Sequence, residues 1–203
     1  MLKNTAPTEL NLEKNIKERW SPRAFLEDQI DDNALLRIFE SARWAASSYN
    51  EQPWRFIIGI KDQGNTYANI IETLVPFNQQ WASKAPVVIL ACGKKTFSRN
   101  GKPNPHMSYD VGQAMATLTL QATEEGLHVH QMAGFSSEKA SQIFNIPEEF
   151  EPIVVAAIGK VDEEEILKKD GPKERTRKRL EEICWNSWNS PLKTMNNYEL
   201  SDK

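Results

Sequence analysis

The sequence has little cysteine and no long apolar run, and both absences narrow the class of protein. Among its 203 residues only Cys92 and Cys184 are cysteines, too few and too far apart for a disulfide framework or a cysteine-rich zinc site. No apolar stretch approaches the ~20 residues of a membrane-spanning helix. The N-terminal segment MLKNTAPTELNLEK lacks the apolar core of a signal peptide. We therefore expect a reduced, cytoplasmic protein.

Charge and motifs exclude further classes. A net charge of -3 argues against a general nucleic-acid or membrane binder. The sequence contains no G-x-G-x-x-G, Walker, G-x-S-x-G or H-E-x-x-H motif. His128 and His130 share one face of a predicted strand, but no third ligand lies near them in the sequence, so we predict no metal site.

The most informative stretch is AASSYNEQPWRFIIGI, residues 45–60. A helical pattern ends in two serines and an asparagine, and an apolar strand follows Pro53. Gln52 precedes this proline and is therefore biased to extended geometry, which leaves a short polar loop between two apolar elements. The amides of Asn50 and Gln52 suit the edge of a flat heterocycle. A helix cap followed by a tight turn would explain the same residues.

A second polar cluster lies in RWSPRAF, residues 19–25. If this segment is extended, Arg19, Ser21 and Arg23 point to the same side. Two guanidinium groups flanking a hydroxyl would form a cradle for a phosphate or a polar ligand edge. The alternative for an isolated R-x-S-x-R is a solvated basic turn.

Apolar periodicity predicts mixed helices and strands. Helices are predicted at residues 8–18, 70–75 and 108–125, the last running from a Ser108 cap to Gly126. Another is capped by Asp31 or Asp32, and its Leu35, Phe39, Ala42 and Ala46 face the core. A further helix runs from a Ser136 cap to Phe144. The predicted strands cover residues 54–60, 87–92, 127–133 and 153–159. Residues 96–107 are predicted to be a mobile loop that could cover a site and select substrate.

The helix at 108–125 is apolar over much of its circumference, which favours burial on more than one side. In a single domain this pattern suggests contact with a second subunit. The small residues Gly112, Ala114 and Ala116 would let another helix approach closely.

Several of these residues together resemble a known family. Ser47, Ser48, Asn50, Gln52, Pro53 and Trp54 are similar to the S-S-x-N-x-Q-P-W signature of the FMN-dependent nitroreductase family. Arg19, Ser21 and Arg23 resemble its R-x-S-x-R opening, and the pattern matches from about Asn15 to about Cys184. The resemblance implies an α+β, three-layer nitroreductase-like fold: a central, mostly antiparallel sheet flanked by helices. Its C-terminal strand, near residues 180–185, would be exchanged in a homodimer. Residues 1–185 would form the FMN-binding domain, and residues 186–203 a weakly ordered tail.

The same resemblance implies a set of FMN-binding residues. They are Arg19, Trp20, Ser21, Arg23, Ser47, Ser48, Asn50, Asn78, Met132, Ala133, Gly134, Arg175 and Arg177. Arg19 and the pair at 175 and 177 would bind the phosphate, and Arg23 would lie near the ribityl chain and the N1/C2 side of the ring. The serines and Asn50 would come from the other subunit, and backbone amides at 132–134 would lie beside flavin N5. Asn78 could contact the flavin and also cap a segment at 79–85.

The implied function is an oxidoreductase in which NADH or NADPH delivers hydride to flavin N5. A nitro-aromatic, quinone or activated alkene then accepts it in a ping-pong reaction. A specialised member of the fold (a dehalogenase or a flavin-fragmenting enzyme) and a non-catalytic FMN carrier or sensor are the alternatives. The sequence departs from the family at Ala46, where proline is common, and at Trp20, where a basic residue is frequent. Pro22 would stiffen the arginine cradle.

Overall fold

The fold is a four-stranded sheet with helices on both faces. The structure, a computed structural model, describes residues 4–168, 171 and 173–191. Its strands are β1 (Trp54–Ile60), β2 (Val87–Lys94), β3 (His128–Met132), β4 (Phe150–Gly159), β5 (Trp185–Ser187) and β6 (Ser190–Pro191). Its helices are α1 (Lys14–Glu18), α2 (Asp32–Arg43), α3 (Thr66–Thr73), α4 (Pro76–Ala82), α5 (Met107–Glu124), α6 (Ser137–Ile143) and α7 (Glu163–Lys168). The first four strands pair antiparallel in the order β1-β2-β4-β3, and β5 pairs with β6.

The central strand β2 separates two apolar clusters. Ile89 belongs to a cluster formed with α2 and α5, whereas its neighbour Leu90 belongs to a cluster formed with α3, α4 and α6. Successive residues of a strand point to opposite faces, so a strand between two helical layers is apolar at every position. The predicted three-layer α+β fold is confirmed.

Several predicted helix ends are also confirmed. The carboxylate of Asp31 accepts the N–H of Ala34 at 3.0 Å, and the hydroxyl of Ser136 accepts the N–H of Lys139 at 3.1 Å. Gly126 follows α5 with φ +72°, the left-handed geometry common at helix ends. The predicted Ser108 cap is wrong, because α5 begins one residue earlier and the cap position falls on His106.

Three predictions of buried or helical residues are wrong. The helix expected at 8–18 is only α1, which buries none of its residues. Before it, the hydroxyl of Thr8 accepts the N–H of Leu10 at 3.2 Å, a local bond that competes with helix formation. Ala46 is exposed, because α2 ends at Arg43 and the buried position after it falls on Ala45. Asn78 does not cap residues 79–85, since α4 starts at Pro76.

The C-terminal segment departs from the strand expected at 180–185. Residues Leu180–Glu182 form a 3-10 turn that closes when the carboxylate of Glu182 accepts the N–H of Arg179 at 2.7 Å. The hairpin β5–β6 follows, and the Trp185 ring packs edge-on against Trp188, which is otherwise exposed. Residues 186–191 of the predicted tail therefore lie in and around this hairpin, whereas 192–203 lie outside the described residues. Exchange of the segment between chains stays a prediction.

Two of the three small residues predicted to let a second helix approach α5 lie on its exposed face. Gly112 and Ala116 are exposed, and a Cβ added at Gly112 would meet no atom within 4 Å. Ala114 is fully buried in the chain's own core. Of the helices that the structure describes, α5 included, none has the length and apolarity needed to cross a bilayer.

Candidate functional site

The segment 19–23 exposes alternate residues, and all five of its residues line one cleft. Trp20 and Pro22 are buried, whereas Arg19, Ser21 and Arg23 are partly or fully exposed. Nη1 of Arg19 donates to the hydroxyl of Ser21 at 3.3 Å. The alternation expected from the R-x-S-x-R spacing is therefore seen in the exposure of these residues.

The cleft has a volume of about 770 Å³, and its second wall is the C-terminal segment at 173–177. Six predicted site residues line it: Arg19, Trp20, Ser21, Arg23, Arg175 and Arg177. Residues nearly 160 positions apart in the sequence thus meet here, as the resemblance implies. Glu174 contributes one carboxylate to the same cleft.

The guanidinium groups in the cleft repel one another. Burial lowers the pKa of Arg19, and the charge of Arg177 lowers it further. Burial likewise lowers the pKa of Arg175, and Arg19 and Arg177 add to this effect. Within residues 4–168, 171 and 173–191, none of these three arginines forms an ion pair. Like charges held together in this way favour an anionic ligand.

The two C-terminal arginines make different contacts. Nη1 of Arg175 donates to the backbone carbonyls of Asn4 and Lys17 at 2.9 and 2.8 Å. Nη1 of Arg177 donates to the carbonyl of the neighbouring Thr176 at 2.6 Å, a contact within its own segment. The Arg175 guanidinium therefore joins distant backbone segments, whereas the bond of Arg177 among the described residues is local.

Aromatic and imidazole rings form the apolar side of the cleft. Phe77 and Trp81 lie four residues apart on α4, and the Arg23 guanidinium lies 5.5 Å from the Phe77 ring centroid. The ring of His130 packs on Trp81 with centroids 4.6 Å apart. Nδ1 of His130 lies 2.8 Å from the carbonyl oxygen of Pro22, which can only accept, so this nitrogen carries the proton.

Both strand histidines are neutral packing residues. Burial lowers the pKa of His128 to about 4, and the nearby Arg19 charge lowers it too. Its ring meets Trp20 edge-on at a centroid distance of 5.6 Å. Burial also lowers the pKa of His130, with the Arg23 charge acting in the same direction. No group of three potential metal ligands occurs among the residues that the structure describes.

A second predicted group adjoins the cleft through α4. Asn78 lies between Phe77 and Trp81 in the sequence, and its Nδ2 donates to the carbonyl of Gly134 at 3.1 Å. Met132 is buried at the end of β3, and Ala133 is exposed. A Cβ at Gly134 would lie 2.7 Å from Asn78 Nδ2, so only glycine fits without displacing that side chain.

The remaining predicted residues, Ser47, Ser48 and Asn50, do not line the cleft of their own chain. The hydroxyl of Ser47 accepts the N–H of Gln52 at 3.0 Å, and the N–H of Ser48 donates to the buried carboxylate of Asp110 at 3.1 Å. Three non-glycine residues of this loop have positive φ: Tyr49 (54°), Asn50 (56°) and Gln52 (51°), so the extended geometry expected at Gln52 is wrong. Such positive φ values cost energy and persist only where neighbours hold them.

The segment predicted to be a mobile loop is folded and packs on this strained loop. The buried side chain of Phe97 meets the Tyr49 ring edge-on, and the Arg99 guanidinium lies 3.8 Å from the centroid of that ring. The carboxylate of Glu51 accepts both the N–H (2.9 Å) and the hydroxyl (2.6 Å) of Ser98. The segment therefore supports the Ser47–Gln52 loop through these contacts, and its mobility stays a prediction.

Among the cleft residues that sequence reasoning missed are Asn4, Phe77, Trp81 and His130. The i, i+4 spacing of the two aromatic residues on α4 could have revealed one of its surfaces. Asp110 was also missed as a partner of the loop, although a lone carboxylate on an apolar helix face is a usable signal. Asn4 gave no signal, since its part depends on a contact with the distant C-terminal segment.

The chain thus combines an antiparallel sheet between two helical layers with an arginine-rich cleft formed by segments 19–23 and 173–177. The Nitroreductase family model matches residues 16–160, and the chain belongs to the Nitroreductase family. This membership places it among the oxidoreductases.

The chain is also similar to individual proteins and solved structures. A solved structure described as an oxidoreductase containing FMN is 31% identical, with a TM-score of 0.81, and the match covers 92% of this chain and 96% of that one. A nitroreductase family protein from Clostridium difficile 630 is 24% identical with a TM-score of 0.68, covering 87% and 98%, which shows likeness of fold. An uncharacterised 15.4 kDa protein from Mycolicibacterium smegmatis is 27% identical over 149 residues, 68% of this chain and 99% of its own.

Proposed function

We propose that the protein is an NAD(P)H-dependent FMN oxidoreductase acting as a homodimer. Its acceptor is a nitro-aromatic, a quinone or an activated alkene, reduced in a ping-pong reaction that starts with NADH or NADPH. A cytoplasmic location stays a prediction from the sequence. The observation that carries the proposal is the group of arginines without ion-pair partners, among the described residues, in one large cleft.

The donor set of this cleft fits FMN. Arg19 and Arg177 supply charge for the phosphate, and charge-assisted bonds from guanidinium groups are the strong class of such contacts. Ser21 offers a hydroxyl beside Arg19 for the same group or for the ribityl chain. The solved relative whose description includes FMN supports this choice of ligand.

The ring side of the site is supplied by the residues beside the cleft. Asn78 is held by the Gly134 carbonyl, which leaves its Oδ1 to accept a further bond. The lack of a side chain at Gly134 permits close approach of a ligand to the backbone there. Arg23 is placed by Phe77 and would stabilise negative charge that develops on a bound ring. FMN, when bound, supplies the two-electron redox chemistry, and the protein binds the cofactor, orients it and polarises its ring.

The proposed site needs two chains. Ser47, Ser48 and Asn50 do not line the cleft of their own chain, and the exposed positions Gly112 and Ala116 on α5 would admit a partner helix. A twofold dimer would then bring the Asn50 loop of each subunit to the cleft of the other.

Anaerobic spectroscopy of the purified protein tests the proposal. We expect flavin absorbance in the protein or after FMN addition, rapid bleaching by NADH or NADPH, and recovery on adding a quinone or nitro-aromatic. Bound flavin that neither nicotinamide bleaches would favour a carrier. Protein that takes up no FMN would contradict the proposal.

A further inference from the structure

The carbonyl oxygen of Lys17 joins three segments of the chain. It accepts the backbone N–H of Ala6 at 2.8 Å and Nη1 of Arg175 at 2.8 Å. Lys17 itself lies in α1, directly before the arginine cradle. One acceptor therefore links the N-terminal segment, α1 and the C-terminal wall of the cleft.

Asn4 makes the same link from a second point. Its carbonyl accepts Nη1 of Arg175 at 2.9 Å, and its side-chain Nδ2 donates to the carbonyl of Lys173 at 3.3 Å. Asn4 also lines the cleft. The C-terminal wall is thus attached to Asn4 by two hydrogen bonds and to Lys17 by a third.

We infer that Arg175 is a positioning residue, and that residues 4–6 act through it as part of the FMN phosphate site. Arg175 holds the C-terminal wall against residues 4–6 and Lys17, and this attachment keeps Arg177 at the cleft. The role assigned here differs from the direct phosphate contact expected from the sequence. The inference rests on the proposed FMN site.

Electrostatics couple this attachment to the ligand. Attachment brings the charges of Arg175 and Arg177 close to that of Arg19, and their repulsion opposes it. A phosphate in the cleft relieves the repulsion, so anion binding and attachment favour each other. A ligand with no phosphate gains nothing from the attachment.

Affinities for FMN and riboflavin separate this role from a general loss of structure. We expect deletion of residues 2–6 and Arg175→Ala each to weaken FMN binding about tenfold or more, on the scale of charged hydrogen bonds. Riboflavin affinity should be unchanged in both. The combined variant should be no weaker than either alone, because both remove one attachment. Lys178→Ala, which removes an exposed charge from the same segment, is the matched control and should bind FMN normally.

A second measurement does not depend on flavin. Hydrogen exchange in a peptide covering residues 4–9 should slow when inorganic phosphate or FMN is added to the wild type, and should not respond in Arg175→Ala. Additive losses in the combined variant, or a deletion variant that binds FMN as tightly as the wild type, would overturn the inference while leaving the proposed function intact. If the wild type binds no FMN, the proposed function fails. If phosphate also leaves the exchange rate of residues 4–9 unchanged, the inferred coupling between anion binding and the attachment of the C-terminal wall fails as well.

Discussion

Asn78 and Gly134 hold each other in place at the junction of α4 and β3. The amide of Asn78 donates to the Gly134 carbonyl, which also accepts the N–H of Val75 at 3.0 Å. The glycine has no room for a side chain on the face that meets Asn78 and Val75. The backbone that the family pattern assigns to the flavin ring is therefore shaped by residues of the adjacent helix.

Gly134→Ala should destabilise the protein by about 1–3 kcal/mol, because the new methyl group must displace Asn78 or Val75. Urea denaturation measures this loss. Asn78→Ala in the same chain removes the nearer clash, so the double variant should lose less than the sum of the two single changes. Strict additivity would mean that the two residues do not interact.

Mixing two inactive variants tests the two-chain site. Asn50→Ala and Arg177→Ala should each lower activity strongly, since each damages one half of every site. In a hybrid dimer both lesions fall on the same site and the other site is intact. A refolded equal mixture should therefore recover about a quarter of wild-type sites, from twofold symmetry and random pairing. Each variant refolded alone is the control, and a mixture no more active than these would place both residues in one chain's site.

His128→Gln should flatten the dependence of stability on pH between about 6.5 and 4. The folded pKa is about 4, below the usual value of 6.5, so in this range the unfolded chain binds a proton that the native chain does not. Stability therefore falls as the pH drops from 6.5 to 4, by up to roughly 3 kcal/mol for this one group. Denaturation of both proteins at several pH values, referenced to pH 7.5, gives the difference. Parallel curves would contradict the assignment.

Arg99→Ala should loosen the loop at 47–52 with little effect on overall stability. The cation–π contact with Tyr49 is worth about 0.5–1 kcal/mol at an exposed site. We expect faster hydrogen exchange at residues 47–52, a lower turnover rate and weaker FMN binding, because Ser47, Ser48 and Asn50 of this loop belong to the proposed FMN site. Lys102→Ala, which removes an exposed charge from the same 96–107 segment, is the control. Unchanged exchange in the loop would show that Phe97 and Ser98 suffice to hold it.

The sequence predicted the sheet and the arginine cradle because both depend on local periodicity. Alternation from Arg19 to Arg23 sets which of these residues are exposed and which are buried, and continuous apolar runs mark β2 and β4. Helix caps at Asp31 and Ser136 follow from residue chemistry within one turn. Arg175 and Arg177 were placed by likeness to the family, since nothing local connects them to Arg19.

The sequence-based predictions were incorrect or incomplete where long-range contacts decide the conformation. Residues 96–104 have no periodicity, yet Phe97 is buried and the segment packs on a loop that lies far back in the sequence. The engagement of Arg175 by two backbone carbonyls could not be predicted, because carbonyls carry no sequence signature. Similarly, the terminal hairpin depends on the contact of Trp185 with Trp188, which apolar spacing does not specify.

The double-sided burial of β2 has a practical consequence for redesign. Each residue from Val87 to Cys92 belongs to one of the two apolar clusters. A change of side-chain volume at any of these positions therefore disturbs the packing of a helical layer. Directed evolution of acceptor preference should therefore leave this strand fixed and vary the exposed ring of Phe77, the neighbouring Gln80 and the residues that support Tyr49. Libraries restricted to those surfaces would vary the cleft without requiring compensating mutations in the core.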